Sequence, residues 1–259
     1  KYKEKDFIAY ILINRPKKLN SLSSEVIDEL INRVDYIQSN KKIRAVIITG
    51  AGNKAFIAGA DITEMAKMNV DDASNYSHKG QLLTTKIENS RVPFIAAING
   101  YALGGGCEIA LACHIRYADQ NAKFGQPEVS LGLIAGFGGT QRLPRLIGKG
   151  RATELLLSGE IISSDKALRY GLVNKIINNE NTDEPALITA CEKLCAKISA
   201  NSSIAITKTI QSINEGISKS IEQSLIIEKD LFSSLFNFYD TKEGMQAFIE
   251  KRKPVFKKK

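Results

Sequence analysis

The chain has 259 residues, 43% apolar and 25% charged, which fits one large globular domain and excludes disordered and collagen-like classes. No run of about 18 apolar residues occurs, because even the stretch from Phe94 to Ala112 is broken by Asn99, several glycines and Glu108, so a membrane-spanning helix is excluded. The 36 Lys and Arg against 28 Asp and Glu give a net charge of +8, a field that concentrates polyanions and leaves nucleic acid, an acidic membrane surface or a phosphate-rich cofactor as candidate partners.

The charged residues Lys1 to Asp6 lead into a strand pattern rather than a signal-peptide core. This predicts a cytoplasmic location of the bacterial type, or the mitochondrial matrix if a transit peptide has been removed. Phe7 to Ile13 is a short apolar run closed by Asn14-Arg15-Pro16 and predicts a strand. After Ser23 or Ser24 as N-cap, Val26, Ile27, Leu30, Ile31, Val34 and Ile37 keep helical spacing. Ala45 to Thr49 and Phe94 to Ile98 predict buried strands, the second entered through Pro93, left through Asn99-Gly100 and followed by one short turn into a helix. Strands alternating with helices imply an α/β domain with parallel pairing.

Beyond about residue 185 the strand signal disappears, which divides the chain into an α/β core, 1–185, and a helical region, 186–259. Ile217, Ile221, Leu225, Leu231, Leu235 and Phe236 predict one long helix, and Met245, Phe248 and Ile249 a last helix stopped by Pro254. Apolar faces of this extent need a partner, either the α/β body or another subunit. The closing run Lys251, Arg252, Lys253, Lys257, Lys258 and Lys259 reads on charge alone as a solvated tail.

Four cysteines without a CxxC pair argue against a disulfide framework and a zinc ribbon. Cys191 and Cys195 fall in the apolar helical series Leu187, Ile188, Leu194 and Ile198, and Cys113 and His114 are adjacent, so buried thiols are expected and no metal. Two histidines and no Gly-x-Ser-x-Gly elbow make covalent hydrolysis unsupported.

The glycine cluster Gly104-Gly105-Gly106 opens the helix that carries Glu108, and amides at a helix start favour an anion or oxyanion. It is a poor dinucleotide fingerprint, since Ile109 occupies the third small position, and Gly148-Lys149-Gly150 is not a P-loop. On spacing alone Glu108 is equally a surface partner of the helix dipole. Glu128, in Phe124-Gly125-Gln126-Pro127-Glu128, is by itself an ordinary loop acid. Two glutamates from separate elements are nonetheless what general acid–base chemistry requires if they converge. The segment Gly136 to Leu143 suits a tight backbone path around a site, or a plain turn.

NRPKKLNSLS, FIAGADITEM, AAINGYALGGGCEIALACHIRYA, FGQPEVSLGLIAGFGGTQRL and EGMQAFIEKRKPVF together resemble the crotonase, or enoyl-CoA hydratase/isomerase, family, nearest its short-chain hydratases (3-hydroxybutyryl-CoA dehydratases). The resemblance spans nearly the whole chain. It implies the crotonase (ClpP-like) spiral of repeated ββα units with a helical C-terminal trimerisation region, assembled as a trimer or a hexamer of two trimers. It implies reversible syn hydration of a 2-trans-enoyl-CoA to a 3-hydroxyacyl-CoA, in fatty-acid β-oxidation or butanoate metabolism. No cofactor is implied, coenzyme A being part of the substrate. The thioester oxygen falls to the amides of Ala60 and Gly105. The two acids fall on Glu108 and Glu128, which are 128 − 108 = 20 residues apart as the family pattern requires.

For CoA the resemblance assigns Lys17 and Lys54 to phosphates, Ala58, Ala60, Asp61, Ile62 and Thr63 to the bound arm, and Phe248 and Lys251 to a neighbouring subunit's pocket. Thr63 departs from the lysine that related hydratases often carry there. An isomerase of the same fold needs one acid, which the presence of both glutamates disfavours. An RNA-binding relative is the other alternative, but no RNP-like motif occurs, and CoA phosphates suit the positive charge at least as well.

Overall fold

The computed structural model describes residues 1–178 and 186–257. Strands β1 (Tyr2–Lys5) and β2 (Ile8–Ile13) form an antiparallel hairpin, and α1 (Ser24–Ser39) follows. The chain then repeats one pattern three times. It lays down β3 (Ala45–Gly50) and β4 (Ala55–Ile57), then α2 (Ile62–Met65) and α3 (Val70–Glu88). Next come β5 (Phe94–Ile98) and β6 (Tyr101–Leu103), then α4 (Gly105–Ala112). The third turn has β7 (Ile115–Asp119) and β8 (Lys123–Gly125), a 3-10 turn over Pro127–Leu131, α5 (Gly139–Ile147) and α6 (Lys149–Ser158). The core closes with β9 (Ile162–Ser163), α7 (Ser164–Tyr170) and β10 (Lys175–Ile177).

In each repeat the first strand joins one sheet and the second joins another. The larger sheet runs β1-β2-β3-β5-β7-β10, parallel from β2 onward, and the smaller runs β4-β6-β8-β9, with only β8 and β9 antiparallel. This is the ββα spiral that the resemblance implies. Strand β5 and the Ala45–Ile48 stretch of β3 are apolar throughout because both faces are covered. Val46, Ile48, Phe94, Ala96 and Ile98 join the main core under α1 and α3, while Ala45, Ile47, Ile95 and Ala97 point the other way. There they meet Leu187, Cys191 and Cys195 of α8 (Ala186–Ser199), which answers the question of what that helix packs against. Ser23 is the cap of α1, accepting from the Val26 amide, and Ile27, Leu30, Val34 and Ile37 are its buried stripe.

The structure corrects the sequence reading at four places. The glycine-started helix follows β6, not β5 directly. The long C-terminal helix is two, α9 (Ser203–Gly216) and α10 (Ile221–Ser234), because Ser220 caps a new start by accepting from Gln223 N, while Leu235 and Phe236 lie in a 3-10 turn. The last helix, α11 (Tyr239–Ile249), stops before Pro254, where Lys251 adopts a left-handed φ of 54° and Arg252 N bonds Ala247 O. The basic segment is not simply solvated: Arg252 pairs with Glu243 at 2.6 Å, and Val255 N and Lys257 N bond the carboxylates of Glu243 and Asp240. Lys258 and Lys259 lie outside the described residues.

All four cysteines are free and buried, and among the described residues no cluster of three His, Cys, Asp or Glu could hold a metal ion. No described helix is long and apolar enough to cross a membrane.

Candidate active site

The motif Asn14 to Leu22 frames the site rather than lining it. Leu19 and Asn20 both take left-handed φ, a costly pair that side-chain bonds hold in place. Asn20, fully buried, accepts from Arg15 N at 2.9 Å and donates to the carbonyls of Ala51 and Ala55 at 3.0 and 2.8 Å. Arg15 and Lys18 close on Asp61 at 2.8 and 2.9 Å, and these two cations hold its carboxyl below the ordinary value. The backbone then pins residues 58 to 61: Ala58 N bonds Leu19 O, Leu22 N bonds Gly59 O, and Asp61 N bonds Leu22 O. The Ala60 amide takes no part in this ladder.

Ala60 faces a cavity of about 390 Å³ that it shares with Gly105, Glu108, Glu128, Tyr76 and Phe137. Gly105 is the first residue of α4, so its amide has no acceptor within the helix. The structure thus brings both predicted amides and both predicted acids to one chamber. Ala58 and Ile62 line it as well.

Glu108 is 2% exposed, which removes the reading of a surface dipole partner. Its Oε1 accepts from Phe137 N at 2.7 Å and Gly139 N at 2.6 Å. Burial pushes its carboxyl up to about 7, against the pull of the Gly139 amide; the nearby Glu128 charge pushes further, and the Phe137 amide and Arg142 pull back. Gly139 has no room for a side chain, since a Cβ would meet the Gln126 amide at 2.8 Å and Glu108 Cγ at 3.1 Å. Glu128 stands in the 3-10 turn, half-buried against Gly104, and burial raises its carboxyl too. With its amide turned to satisfy both groups, Gln126 donates to the two Glu128 oxygens at 3.0 and 3.1 Å. Gln126 is 1% exposed, and sequence reasoning passed over it because nothing in its spacing marks it.

A second, polar cavity of about 530 Å³ shares Met68 and Tyr76 with the first and contains Asp61 and Thr63 beside Lys18 and Lys67. Lys17 and Lys54 are exposed and line neither cavity, nor do Phe248 and Lys251.

A ββα spiral in which the first residue of α4, Ala60, a buried acid and a half-buried acid share one apolar chamber fits a crotonase-fold protein, and the comparisons agree. The model of the family described as enoyl-CoA hydratase/isomerase matches residues 3–259. The short-chain-enoyl-CoA hydratase of Clostridium acetobutylicum is 45% identical over 95% of this chain and 92% of its own length. The crotonyl-CoA hydratase of Syntrophomonas wolfei is 43% identical over 96% and 94%. The crystal structure of enoyl-CoA hydratase from Bacillus anthracis superposes with a TM-score of 0.94 at 39% identity, covering 100% of this chain and 99% of that one. The chain belongs to the enoyl-CoA hydratase/isomerase family.

Proposed function

We propose that the protein is an enoyl-CoA hydratase, a hydro-lyase that adds water to a 2-trans-enoyl-CoA and reverses the reaction as a 3-hydroxyacyl-CoA dehydratase. The observation that carries this reading is the convergence of Glu108 and Glu128 on a chamber that also holds Ala60 and Gly105. The two acids hold one water. One takes a proton from it as the new C–O bond forms at the β-carbon. The electron pair of the double bond moves toward the α-carbon and the thioester oxygen, where the amides of Ala60 and Gly105 stabilise the enolate-like charge. The other acid delivers its proton to the α-carbon. An isomerase needs only one such acid.

In this reading coenzyme A enters as part of the substrate and no further cofactor is used. Lys17 and Lys54 face its phosphates, residues 58 to 63 line its bound arm, and Phe248 and Lys251 complete a neighbouring subunit's pocket. The names of the Clostridium and Syntrophomonas relatives support a short acyl chain, and the proposed location is the cytoplasm. Turnover of a series from butenoyl-CoA to hexadecenoyl-CoA, followed by loss of the conjugated double bond, tests it. Rates that fall with chain length are expected, and no turnover of any member overturns the proposal.

The region 186–259 serves assembly. Ile213, Ile217, Ile221, Leu225, Ile226, Phe232 and Phe236 are exposed on or beside α9 and α10, apolar side chains that a neighbouring subunit would cover. Light scattering is expected to give a trimer or hexamer, and a monomer at working concentration contradicts it. Replacing Lys251 by Ala should raise KM for acyl-CoA more than it lowers kcat, because a remote phosphate contact contributes uniform binding. An unchanged KM removes Lys251 from the site.

A further inference from the structure

One stripe of α3 grips the loop that holds Glu108. Tyr76, Gly80, Thr84 and Glu88 recur every four residues, so they lie on one face of the helix. The Tyr76 ring rests on Phe137 with centroids 5.2 Å apart. Gly80 admits that Phe137 ring, since a Cβ there would stand 2.0 Å from it. Thr84 Oγ1 donates to Phe137 O at 2.9 Å, and Glu88 accepts from Arg142 Nη2 at 2.9 Å.

Arg142, on α5, completes the grip. Its Nη1 donates to Phe137 O at 3.0 Å and to Thr84 Oγ1 at 3.1 Å, while its own amide bonds Gly138 O at 2.8 Å. Gly138, at φ 108°, lies under the guanidinium, where a Cβ would be 2.2 Å from Nη1. The peptide before Phe137 is fixed at its other end as well, because Gly136 O accepts from Ser77 Oγ at 2.7 Å and Gln81 Nε2 at 3.1 Å. Each peptide plane between Gly136 and Gly139 is therefore anchored at its carbonyl by α3 or α5. Two of the three point their N–H groups at Glu108.

We propose that Arg142, locked by Thr84 and Glu88, is a positioning residue for Glu108: from outside the cavity it fixes the loop whose amides hold the carboxylate. This rests on the reading of Glu108 as one of the two acids. Arg142 does not line the chamber, so its action passes through Phe137 and Gly139. The groups facing Glu108 are Glu128 from the 3-10 turn, Arg142 from α5, Tyr76 from α3 and Cys107 from its own helix. Burial pushes the Cys107 thiol up to about 12 and raises the Tyr76 phenol above its ordinary value, so both are neutral. Glu128 and Arg142 remain as the charges, and they act in opposite directions on Glu108. Removing the Arg142 charge disfavours the carboxylate, so Glu108 must titrate at higher pH, whether it serves as acid or base.

Arg142→Gln, Arg142→Lys and Thr84→Val separate the clamp from the charge. In Arg142→Gln, kcat is expected to fall roughly tenfold to a hundredfold, the scale of a misplacement near 1 Å. KM should change less, and the pH profile of kcat should move upward. Arg142→Lys keeps the charge but not the fork, so it should lose rate with the profile in place. Thr84→Val, isosteric and neutral, should lose a smaller part of the rate, again without a shift of the profile. Carboxyl titration in protein labelled with carbon-13 at glutamate follows Glu108 without turnover, so an inactive wild type would sink the hydratase reading while this proposal is still decided. An upward titration shift of Glu108 in Arg142→Gln supports it. An unmoved titration, or a folded Arg142→Gln with kcat within about twofold of wild type, overturns it.

Discussion

Glu108→Gln and Glu128→Gln are each expected to cut hydration at least ~100-fold, the lower end of general acid–base effects. Glutamine fits both places. At 108 its carbonyl oxygen can still accept from the Phe137 and Gly139 amides, and at 128 it can still accept from Gln126. What it cannot do is exchange a proton, so binding should survive while chemistry fails. The double variant should be little worse than the poorer single one, because groups acting on one water in one transition state give non-additive losses. A loss of about tenfold or less in Glu128→Gln with Glu108→Gln inactive would point instead to a one-acid isomerase. Near wild-type rates in both would return the two glutamates to ordinary structural acids.

Gly105→Pro carries the second large effect. Gly105 is the first residue of α4, a position where proline is tolerated because the amide there has no helical acceptor. The substitution deletes the N–H proposed to face the thioester oxygen. A side chain at 105 also approaches the Phe137 ring and Leu22 Cδ1 at 3.2 and 3.3 Å, so Gly105→Ala, which keeps the N–H, is the control. At saturating substrate kcat of the proline variant should lie on the order of 100- to 1,000-fold below that of the alanine variant. Equal rates in the two, with both folded by thermal unfolding, would take Gly105 out of the oxyanion site.

Much of the frame was legible because it obeys a period. Strands β2, β3 and β5 are apolar on the faces they bury, and α1 shows Ile27, Leu30, Val34 and Ile37 at helical spacing. The strands of the second sheet were not legible. β4, β6 and β8 have three residues each, too few for any alternation, and only their pairing in space defines them. The division of the long C-terminal helix did carry a signal, since Ser220 and Gln223 have the spacing of a capping box. The continuous apolar series from Ile217 to Phe236 outweighed it.

At the site, the chemistry was easier to read than its support. Glycines at a helix start and paired acids announce themselves by residue type, and the family motifs placed Ala60, Gly105, Glu108 and Glu128 where one cavity now unites them. Gln126, Asn20 and Arg142 carry no such mark. Their partners lie on other elements, Arg142 reaching Glu88 some 54 residues away in the chain, and only the fold brings these groups together. Asp61 shows the opposite case, a motif residue whose carboxylate is engaged by Arg15 and Lys18 in holding the segment that presents the Ala60 amide.

Addition of water across the 2,3 double bond of an enoyl-CoA is tested most plainly by the product formed from crotonyl-CoA in deuterium oxide. The expected product is 3-hydroxybutyryl-CoA carrying a single carbon-bound deuterium, at the α-carbon, with the hydroxyl at the β-carbon. Recovery of unhydrated thioester, or of an isomer with a shifted double bond and no hydroxyl, would contradict it.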